Sequence, residues 1–311
     1  MNEGLYDVVV VGGGAAGLSA ALVLGRARRR VALIDSGAPR NAPAAHMHGF
    51  LSREGMPPRE LLAVGRREVA AYGVELIDGL VTSVVLAGPR RFDVRLADSA
   101  PLTTRRVLIT TGLRDLLPDL PGAAERWGRD LLHCPYCHGH EVRDQPLGVL
   151  GGTPGTVQHA LLVRQWSDDV IYFAHTDVLD EREAEQLTAR GVAIVEGTVV
   201  DLVIGADRLR GVELGDGRVI ERTALFVRPR MVPTNGLLAD LGAETNDEGW
   251  PMADAQGLTS VAGVWVAGNA ADPRAQVITA AGDGSATAIA LNADLLAEDV
   301  ARDVEALRAA V

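Results

Sequence analysis

Residues 6–37 read YDVVVVGGGAAGLSAALVLGRARRRVALIDSG, and this stretch decides the fold. Val8, Val9, Val10 and Val11 are consecutive β-branched residues, the pattern of a parallel strand buried on both faces. Gly12, Gly14 and Gly17 follow at once in G-x-G-x-x-G spacing, with Ala15 and Ala16 between the last two. The first glycine makes the turn, the second lets backbone approach a pyrophosphate, and the third lets a helix pack close to the sheet. That helix offers free N–H groups and the positive end of its dipole to phosphate. VALID, residues 31–35, is a second strand. Asp35 closes it 23 positions past Gly12, where an acid bonds a ribose hydroxyl, and Ser36 comes next. Strand, turn, helix, strand and acid together predict a dinucleotide-binding unit.

The chain has 311 residues, enough for one large or two ordinary domains. Apolar residues make up 47% and charged residues 23%, the mix of a globular protein with a real core. With 35 glycines and only 4% aromatics, the composition suits an α/β protein built on tight strand-to-helix turns. The net charge of −11 argues against a nucleic-acid partner, which wants a basic face. Residues 8–25 run eighteen positions without a charge. That is short of the roughly 20 apolar residues of a membrane span. The run is also broken by three consecutive glycines and preceded by acids, where a signal peptide carries basic residues. The expectation is a cytoplasmic protein with no membrane partner.

HCPYCHGHE, residues 133–141, holds both cysteines, Cys134 and Cys137, among His133, His138 and His140. Three readings stand open: a haem attachment site of C-x-x-C-H type, a metal site, and a working disulfide. Haem attachment requires export, and no export signal is visible. A tetrahedral metal site would crowd its ligands into seven positions. Closely spaced cysteines, by contrast, close a disulfide readily, and the thiolate is the nucleophile of exchange. His138 titrates near neutrality and suits an acid–base role; His140 and His133 are weaker candidates for it. His46 and His48, in NAPAAHMHGF (residues 41–50), either line a substrate pocket or sit in a plain loop.

Two further segments carry a resemblance. RRVLITTGLRDLLPDLPG, residues 105–122, is an apolar strand ending in Thr110-Thr111-Gly112. GVWVAGNAADPRAQVITAAGDGSATAIALNADLL, residues 263–296, is a strand, a glycine turn and a long small-residue helix. With these the chain resembles, over essentially its whole length, the low-molecular-weight thioredoxin reductase family of two-domain flavoproteins. The resemblance implies FAD on the first glycine motif. It places Thr111 and Gly112 in the family's A-T-G crossing segment, and Gly268 and Asn269 in its A-G-D turn. There, Asn for Asp keeps an acceptor and loses a charge. Gln276 and Val277 fall where the family's R-Q-A meets the flavin. The implied fold is α/β, with two Rossmann-like (three-layer ββα) dinucleotide-binding domains, the second inserted into the first. The FAD-binding domain would be residues 1–116 plus 248–311 and the C-x-x-C domain 117–247. LPDLPG at 117–122 and TNDEGWP at 245–251 would be the crossovers. The resemblance also suggests a homodimer, with LLAEDVARDVEALRAAV, residues 295–311, as an amphipathic helix in a core or dimer contact.

In such a protein Cys134 and Cys137 form the redox disulfide, with Cys137 toward the flavin and Cys134 outermost, and no metal is expected. The family's Asp after the second cysteine is replaced by His138. A second glycine turn is altered to Gly151, Thr153 and Thr156, with Pro154 removing an N–H donor. Thr176, Asp177, Asp180 and Glu181 stand where a 2′-phosphate would want basic residues; Asp177 alone could bond an NADH ribose. Arg228 and Arg230 replace a small-residue turn on the nicotinamide side. CPYCHGHE is similar to the branch of dithiol oxidases of gliotoxin and holomycin biosynthesis, which carry C-x-x-C-H-G. The expected function is an FAD-dependent dithiol oxidase with a small-molecule dithiol as substrate, oxygen as acceptor and hydrogen peroxide as product. The alternatives are an NAD(P)H- or ferredoxin-dependent reductase of a thioredoxin-like protein, and a non-catalytic flavin redox sensor.

Overall fold

A computed structural model describes residues 4–310 of the chain. The valine run forms β1 (Leu5–Val11), followed by α1 (Ala15–Arg26) and β2 (Val31–Asp35). The period-2 alternation of a strand sends Val8 and Val10 into one core with Ala20, Ala21 and Leu24 of α1. Val9 and Val11 enter the opposite core with Phe92, Val94 and Val107. Then come α2 (Pro58–Ala70), β3 (Glu75–Asp78), β4 (Val81–Gly88), β5 (Arg91–Leu96) and β6 (Leu102–Ile109). The sheet order is β3-β2-β1-β6-β5-β4, parallel from β3 to β6 and antiparallel through β5 and β4.

The chain leaves this unit through β7 (Leu113–Leu116) and builds a second one. Its short α3 (Ala123–Arg126), β8 (Leu131–Leu132) and α4 (Pro135–His138) precede β9 (Leu147–Leu150), α5 (Thr156–Val163) and β10 (Val170–Phe173). After α6 (Glu181–Ala189) and β11 (Ala193–Val195) comes the antiparallel ribbon β12 (Val199–Gly205), β13 (Arg208–Leu214) and β14 (Val219–Glu221). β15 (Ala224–Phe226) completes a parallel sheet of order β11-β10-β9-β15-β8. Both units thus have the α/β layering that the sequence implies. The return runs through β16 (Arg230–Pro233), which pairs with β7, then α7 (Gly236–Asp240), β17 (Val264–Val266) parallel to β6, and α8 (Val277–Ala309).

The domain limits differ from those expected. One unit takes the chain up to Ala42, Pro58–Arg114 and Val232 onward; the other takes Pro43–Pro57 and Asp115–Met231. The return therefore falls at Met231/Val232 and not at 247/248. Leu238 and Ala243 are buried in the same core as Val9 and Val11, which fixes α7 to the first unit. TNDEGWP is no linker: Trp250 is buried, and Asn246 Oδ1 accepts from the backbone N–H of Trp250 at 2.9 Å.

The closing segment is helical, as expected, and its Leu295 is in the core; it is the end of α8, one helix of 33 residues. Its small residues bring it hard against α1, since a Cβ at Gly284 would lie 2.1 Å from the Ala16 carbonyl oxygen. Farther along, fully buried Arg106 bonds Asp294 at 2.5 Å and Glu298 at 2.6 Å, and Arg105 bonds Glu298 at 2.8 Å and Asp299 at 2.7 Å. The arginines are buried while the acids stay partly exposed, and losing the acids would strand a buried charge, so these contacts fix where α8 lies. Beyond them Val300, Val304 and Leu307 are exposed. Among the described residues, no helix is long and apolar enough to cross a membrane.

Candidate active site

The first glycine turn is built for a ligand. A Cβ at Gly17 would lie 1.9 Å from the Gly12 carbonyl oxygen, and one at Gly12 would lie 2.5 Å from the Thr110 carbonyl oxygen. Gly12 also has φ +110°, a conformation other residues rarely adopt. These two glycines pack the turn. At Gly14 a Cβ would meet nothing within 4 Å, so the open side of the turn lies at the helix N-terminus. Gly14 caps α1 without a side-chain hydrogen bond, so the first-turn N–H groups have no intrahelical acceptor and suit an anion. Asp35 comes to the same turn, its Oδ1 accepting from the Gly13 N–H at 3.2 Å, with Arg66 Nη1 3.6 Å from its Oδ2. Ser36 beyond it is exposed. These residues fit the pyrophosphate and ribose of a dinucleotide.

The other residues named for the cofactor lie in the same unit. A Cβ at Gly268 would lie 2.8 Å from Ala16 Cβ, so the second glycine turn abuts the start of α1. Asn269 Nδ2 donates to the carbonyls of Asp272 and Ala275, both at 2.9 Å, and its Oδ1 accepts from Arg40 at 3.4 Å. Gln276 is the N-cap of α8 and Val277 its first residue. Thr111 Oγ1 donates to the Thr234 carbonyl at 2.8 Å, and Gly112 accepts from the Thr234 N–H at 3.1 Å, so this pair holds the returning chain. Sequence reading missed Asp283, whose Oδ2 accepts from the Gly268 N–H at 2.7 Å. Its signal is an acid in the second turn of a helix that follows a glycine turn.

In the second unit Cys134 and Cys137 are joined by a disulfide, with their Cα atoms 5.2 Å apart. The two cysteines are thus paired with each other. Cys134 caps α4, whose first residue is Pro135, a position where a missing N–H costs nothing. Tyr136, between the cysteines, is 62% exposed and stands edge-on against Trp166, ring centroids 5.5 Å apart. Gly139 is needed behind them: a Cβ there would lie 2.5 Å from the Pro135 carbonyl oxygen.

The histidines separate by environment. His138 is half-buried, and burial lowers its pKa below the ordinary histidine value; Glu141 raises it and His48 lowers it further. It is therefore a neutral imidazole near pH 7, able to accept a proton. His140 is exposed, and its carbonyl accepts from Arg143 at 2.6 Å. His133 Nδ1 meets the Val227 carbonyl at 3.0 Å, a structural contact. His46 Nδ1 meets the Gly55 carbonyl at 3.0 Å. For His48 the sequence admits either a pocket or a plain loop. His48 faces a carboxylate on each side: Nδ1 lies 2.6 Å from Glu54 Oε1, and Nε2 lies 3.5 Å from Glu141 Oε1.

The altered glycine turn before α5 is filled from within. Thr156 Oγ1 bonds the Thr153 carbonyl at 2.9 Å, the Tyr172 hydroxyl at 3.0 Å and Asp177 Oδ2 at 3.0 Å. Tyr172 also donates to Asp177. Burial, together with that bond, holds the Tyr172 phenol above its ordinary pKa. One of the two Asp177 carboxylate oxygens, Oδ2, is thus held by Thr156 and Tyr172. Arg228 Nη1 donates to the Gly155 carbonyl at 3.3 Å, and Arg230 is exposed. The cleft lined by Thr153, Pro154, Gly155, Asp177 and Glu183 measures about 160 Å³. Ligand sites usually offer roughly 300–1,000 Å³.

Comparison with known proteins agrees with this construction. Residues 6–284 match the family described as pyridine nucleotide-disulphide oxidoreductase. The chain is 32% identical to thioredoxin reductase sirT of Leptosphaeria maculans, covering 96% of each. It is 31% identical to thioredoxin reductase tcpT of Claviceps purpurea, covering 86% of this chain and 87% of that one. Among solved structures, that of HlmI superposes with a TM-score of 0.96 at 59% identity, covering 100% of this chain and 99% of the other. An oxidoreductase from Agrobacterium tumefaciens superposes with a TM-score of 0.87 at 34% identity, covering 94% and 98%. The cofactor of this fold is FAD, and the chain is a thioredoxin reductase-like flavoprotein with disulfide oxidoreductase chemistry. It belongs to the pyridine nucleotide-disulphide oxidoreductase family.

Proposed function

We propose that this protein is a dithiol oxidase that closes a disulfide in a small-molecule dithiol, with oxygen as the final acceptor. The observation that carries this reading is the Cys134–Cys137 disulfide followed directly by His138, a half-buried imidazole with a lowered pKa. A neutral base beside a disulfide favours taking protons from an incoming dithiol. His138 accepts the proton of one substrate thiol. The resulting thiolate attacks Cys134 Sγ and expels Cys137 as thiolate. The second substrate thiol then gives its proton to solvent, attacks the substrate sulfur of the mixed disulfide and releases Cys134 as thiolate, so the substrate leaves oxidised and the enzyme pair is left reduced. Held at the Gly12–Gly17 turn, FAD would supply two-electron acceptor chemistry for the reduced cysteine pair, with oxygen as the final acceptor. His140, exposed on the same turn, is the second choice as base.

The names of the relatives favour a second reading, a reductase driven by a pyridine nucleotide toward a thioredoxin-like protein. Anaerobic rapid mixing separates the two. With dithiothreitol the flavin absorbance bleaches in an oxidase, and His138→Ala slows that bleaching by about 10²–10⁴-fold at neutral pH. The loss shrinks as pH rises toward the ordinary thiol pKa of about 8.5, where solvent supplies thiolate. A His138→Ala variant with unchanged bleaching removes His138 from the mechanism. Rapid bleaching by NADPH and none by the dithiol refutes the oxidase.

A further inference from the structure

We propose that His159 is a positioning residue for the redox pair: it clamps the peptide that leads into Cys134 and holds that cysteine in place beside Cys137 while the disulfide is open. The inference rests on the pair being the working thiols of the dithiol reaction. All the contacts lie within the second unit. The β8–β15 ladder ends at Leu132, whose carbonyl accepts from the Val227 N–H at 2.7 Å. Beyond it two side chains take over. His133 Nδ1 meets the Val227 carbonyl at 3.0 Å, and His159 Nε2 donates to the His133 carbonyl at 2.8 Å. That carbonyl belongs to the same rigid peptide plane as the Cys134 N–H, so fixing it fixes the direction in which the chain enters Cys134. On the other side, the Cys134 carbonyl accepts from the N–H groups of Cys137 and His138, both at 3.1 Å. Cys134 is thereby gripped at both of its peptides, one by α4 and one by His159.

His159 is held firmly enough for this task. It lies in the first turn of α5, its own N–H bonded to the Gly155 carbonyl at 3.1 Å. Its ring stands edge-on to Phe226, centroids 6.0 Å apart, and 5.6 Å from the His133 ring. A carbonyl can only accept, so the proton sits on Nε2 and the buried Nδ1 keeps a lone pair. Among the described residues Nδ1 has no hydrogen-bond partner. Burying a polar atom unsatisfied is costly, and an apolar residue would fill this place without that cost. What the imidazole adds is the Nε2 contact, and its effect depends on the state of the pair. With the disulfide closed, the bond between the two sulfurs itself holds Cys134. A substrate dithiol that reduces the pair leaves as a disulfide, and Cys134 and Cys137 are then thiols with only their backbone contacts to hold them. Losing the His159 contact frees the φ rotation of Cys134. Ordering one residue is worth a factor of roughly five to thirty in an equilibrium constant, so the clamp favours reclosure of the pair.

The test uses the FAD-loaded protein, equilibrated without oxygen in mixtures of reduced and oxidised glutathione. Two glutathione thiols reduce the Cys134–Cys137 disulfide and leave as glutathione disulfide. Alkylation and mass spectrometry then give the ratio of dithiol to disulfide in the pair. At a fixed glutathione mixture His159→Leu should raise that ratio by about fivefold or more. His159→Gln, which keeps a donor for the His133 carbonyl, should return it close to wild type. A wild-type ratio in His159→Leu, or a His159→Gln protein as reducible as His159→Leu, overturns the inference. Should His159→Leu fail to fold, wild type alone decides. By NMR the His159 Nε2 proton should stay protected from solvent exchange in the reduced protein as in the oxidised one, and a proton that exchanges freely on reduction refutes the clamp. The oxidase reading is judged separately: if the pair responds to glutathione as expected while dithiothreitol leaves the flavin unbleached, the oxidase is refuted and the clamp stands.

Discussion

The chain contains the same strand–turn–helix twice, and the two copies have opposite chemistry. Around Gly12, Gly14 and Gly17 the packing is tight below the turn and open at Gly14. Around Gly151, Thr153 and Thr156 the space is occupied from inside, by a Thr156–Tyr172–Asp177 hydrogen-bond cluster and by the Arg228 guanidinium over Gly155. Both turns still join a buried strand to a helix. Val8 and Val10 pack on α1 just as Leu147 and Val149 pack on Val157, Ala160 and Val163 of α5. The layered fold depends on apolar periodicity, which both turns keep. Dinucleotide binding depends on a few atoms being absent, and the second turn has side chains at those positions.

The largest test exchanges the two turns at their third position. Gly17→Thr gives the first turn the residue of the second. Its Cβ would be driven into the Gly12 carbonyl, and since backbone cannot yield as a side chain can, the cost should reach or exceed the roughly 1–3 kcal/mol of ordinary overpacking. The expected outcome is a protein that loses essentially all its flavin absorbance and is not reconstituted by added FAD. The reciprocal Thr156→Gly should keep its full flavin content and gain no response to NADPH, because Pro154, Arg228 and Asp177 remain. A Gly17→Thr protein that stays yellow would show that the first turn is not the cofactor's cradle.

A smaller effect is expected from NADPH on the unmodified protein. Acids line the cleft of the second turn, and among its lining residues there is no Lys or Arg to meet a 2′-phosphate. Within the time dithiothreitol needs to bleach the flavin fully, NADPH at equal concentration should leave most of it oxidised. Prompt bleaching by NADPH would mean that the nucleotide displaces the Thr156–Tyr172–Asp177 cluster, and the contrast between the turns would then be one of resting state only.

What was legible in the sequence was local. The glycine spacing, Asp35 and the C-x-x-C-H run each carry their chemistry within a few residues, so a single chain suffices to read them. The return crossover was misplaced because α7 spans only Gly236–Asp240, too short to show a helical period, while TNDEGWP has the composition of a linker. In the structure that stretch is closed by Asn235 Nδ2 on the Gly249 carbonyl at 2.6 Å and by Asn246 on the Trp250 N–H. His48 was ambiguous for a different reason. Its partners Glu54 and Glu141 come from two segments that only the folded second unit brings together. Sequence shows Asp177 as an acid that could bond a ribose; it cannot show that Tyr172 and Thr156 reach its Oδ2.

The last contrast is in how the two units meet acid. All seven histidines of the chain lie in the second unit. One of them, His159, sits three residues after Thr156, where α1 has the fully buried Ala20 three residues after Gly17. His159 is 6% exposed, its Nε2 bonds the His133 carbonyl at 2.8 Å, and its Nδ1 meets no hydrogen-bond partner among the described residues. Burial, aided by His133 and Arg228, lowers its pKa from 6.5 to about 4. The unfolded chain therefore takes up this proton first as pH falls. The stability His159 contributes is whole above pH 6.5, declines between 6.5 and 4, and is gone below 4. By pH 5 the loss is about 2 kcal/mol. Amide hydrogen exchange should show α5 losing protection between pH 7 and 5, after correction for the intrinsic rate, while α1 loses much less. His159→Gln keeps a donor for the His133 carbonyl and does not titrate. It should flatten the pH dependence of α5 protection and leave α1 unchanged. If α1 and α5 lose protection together in wild type and variant alike, the acid sensitivity belongs to the whole chain and not to the buried imidazole of the second helix.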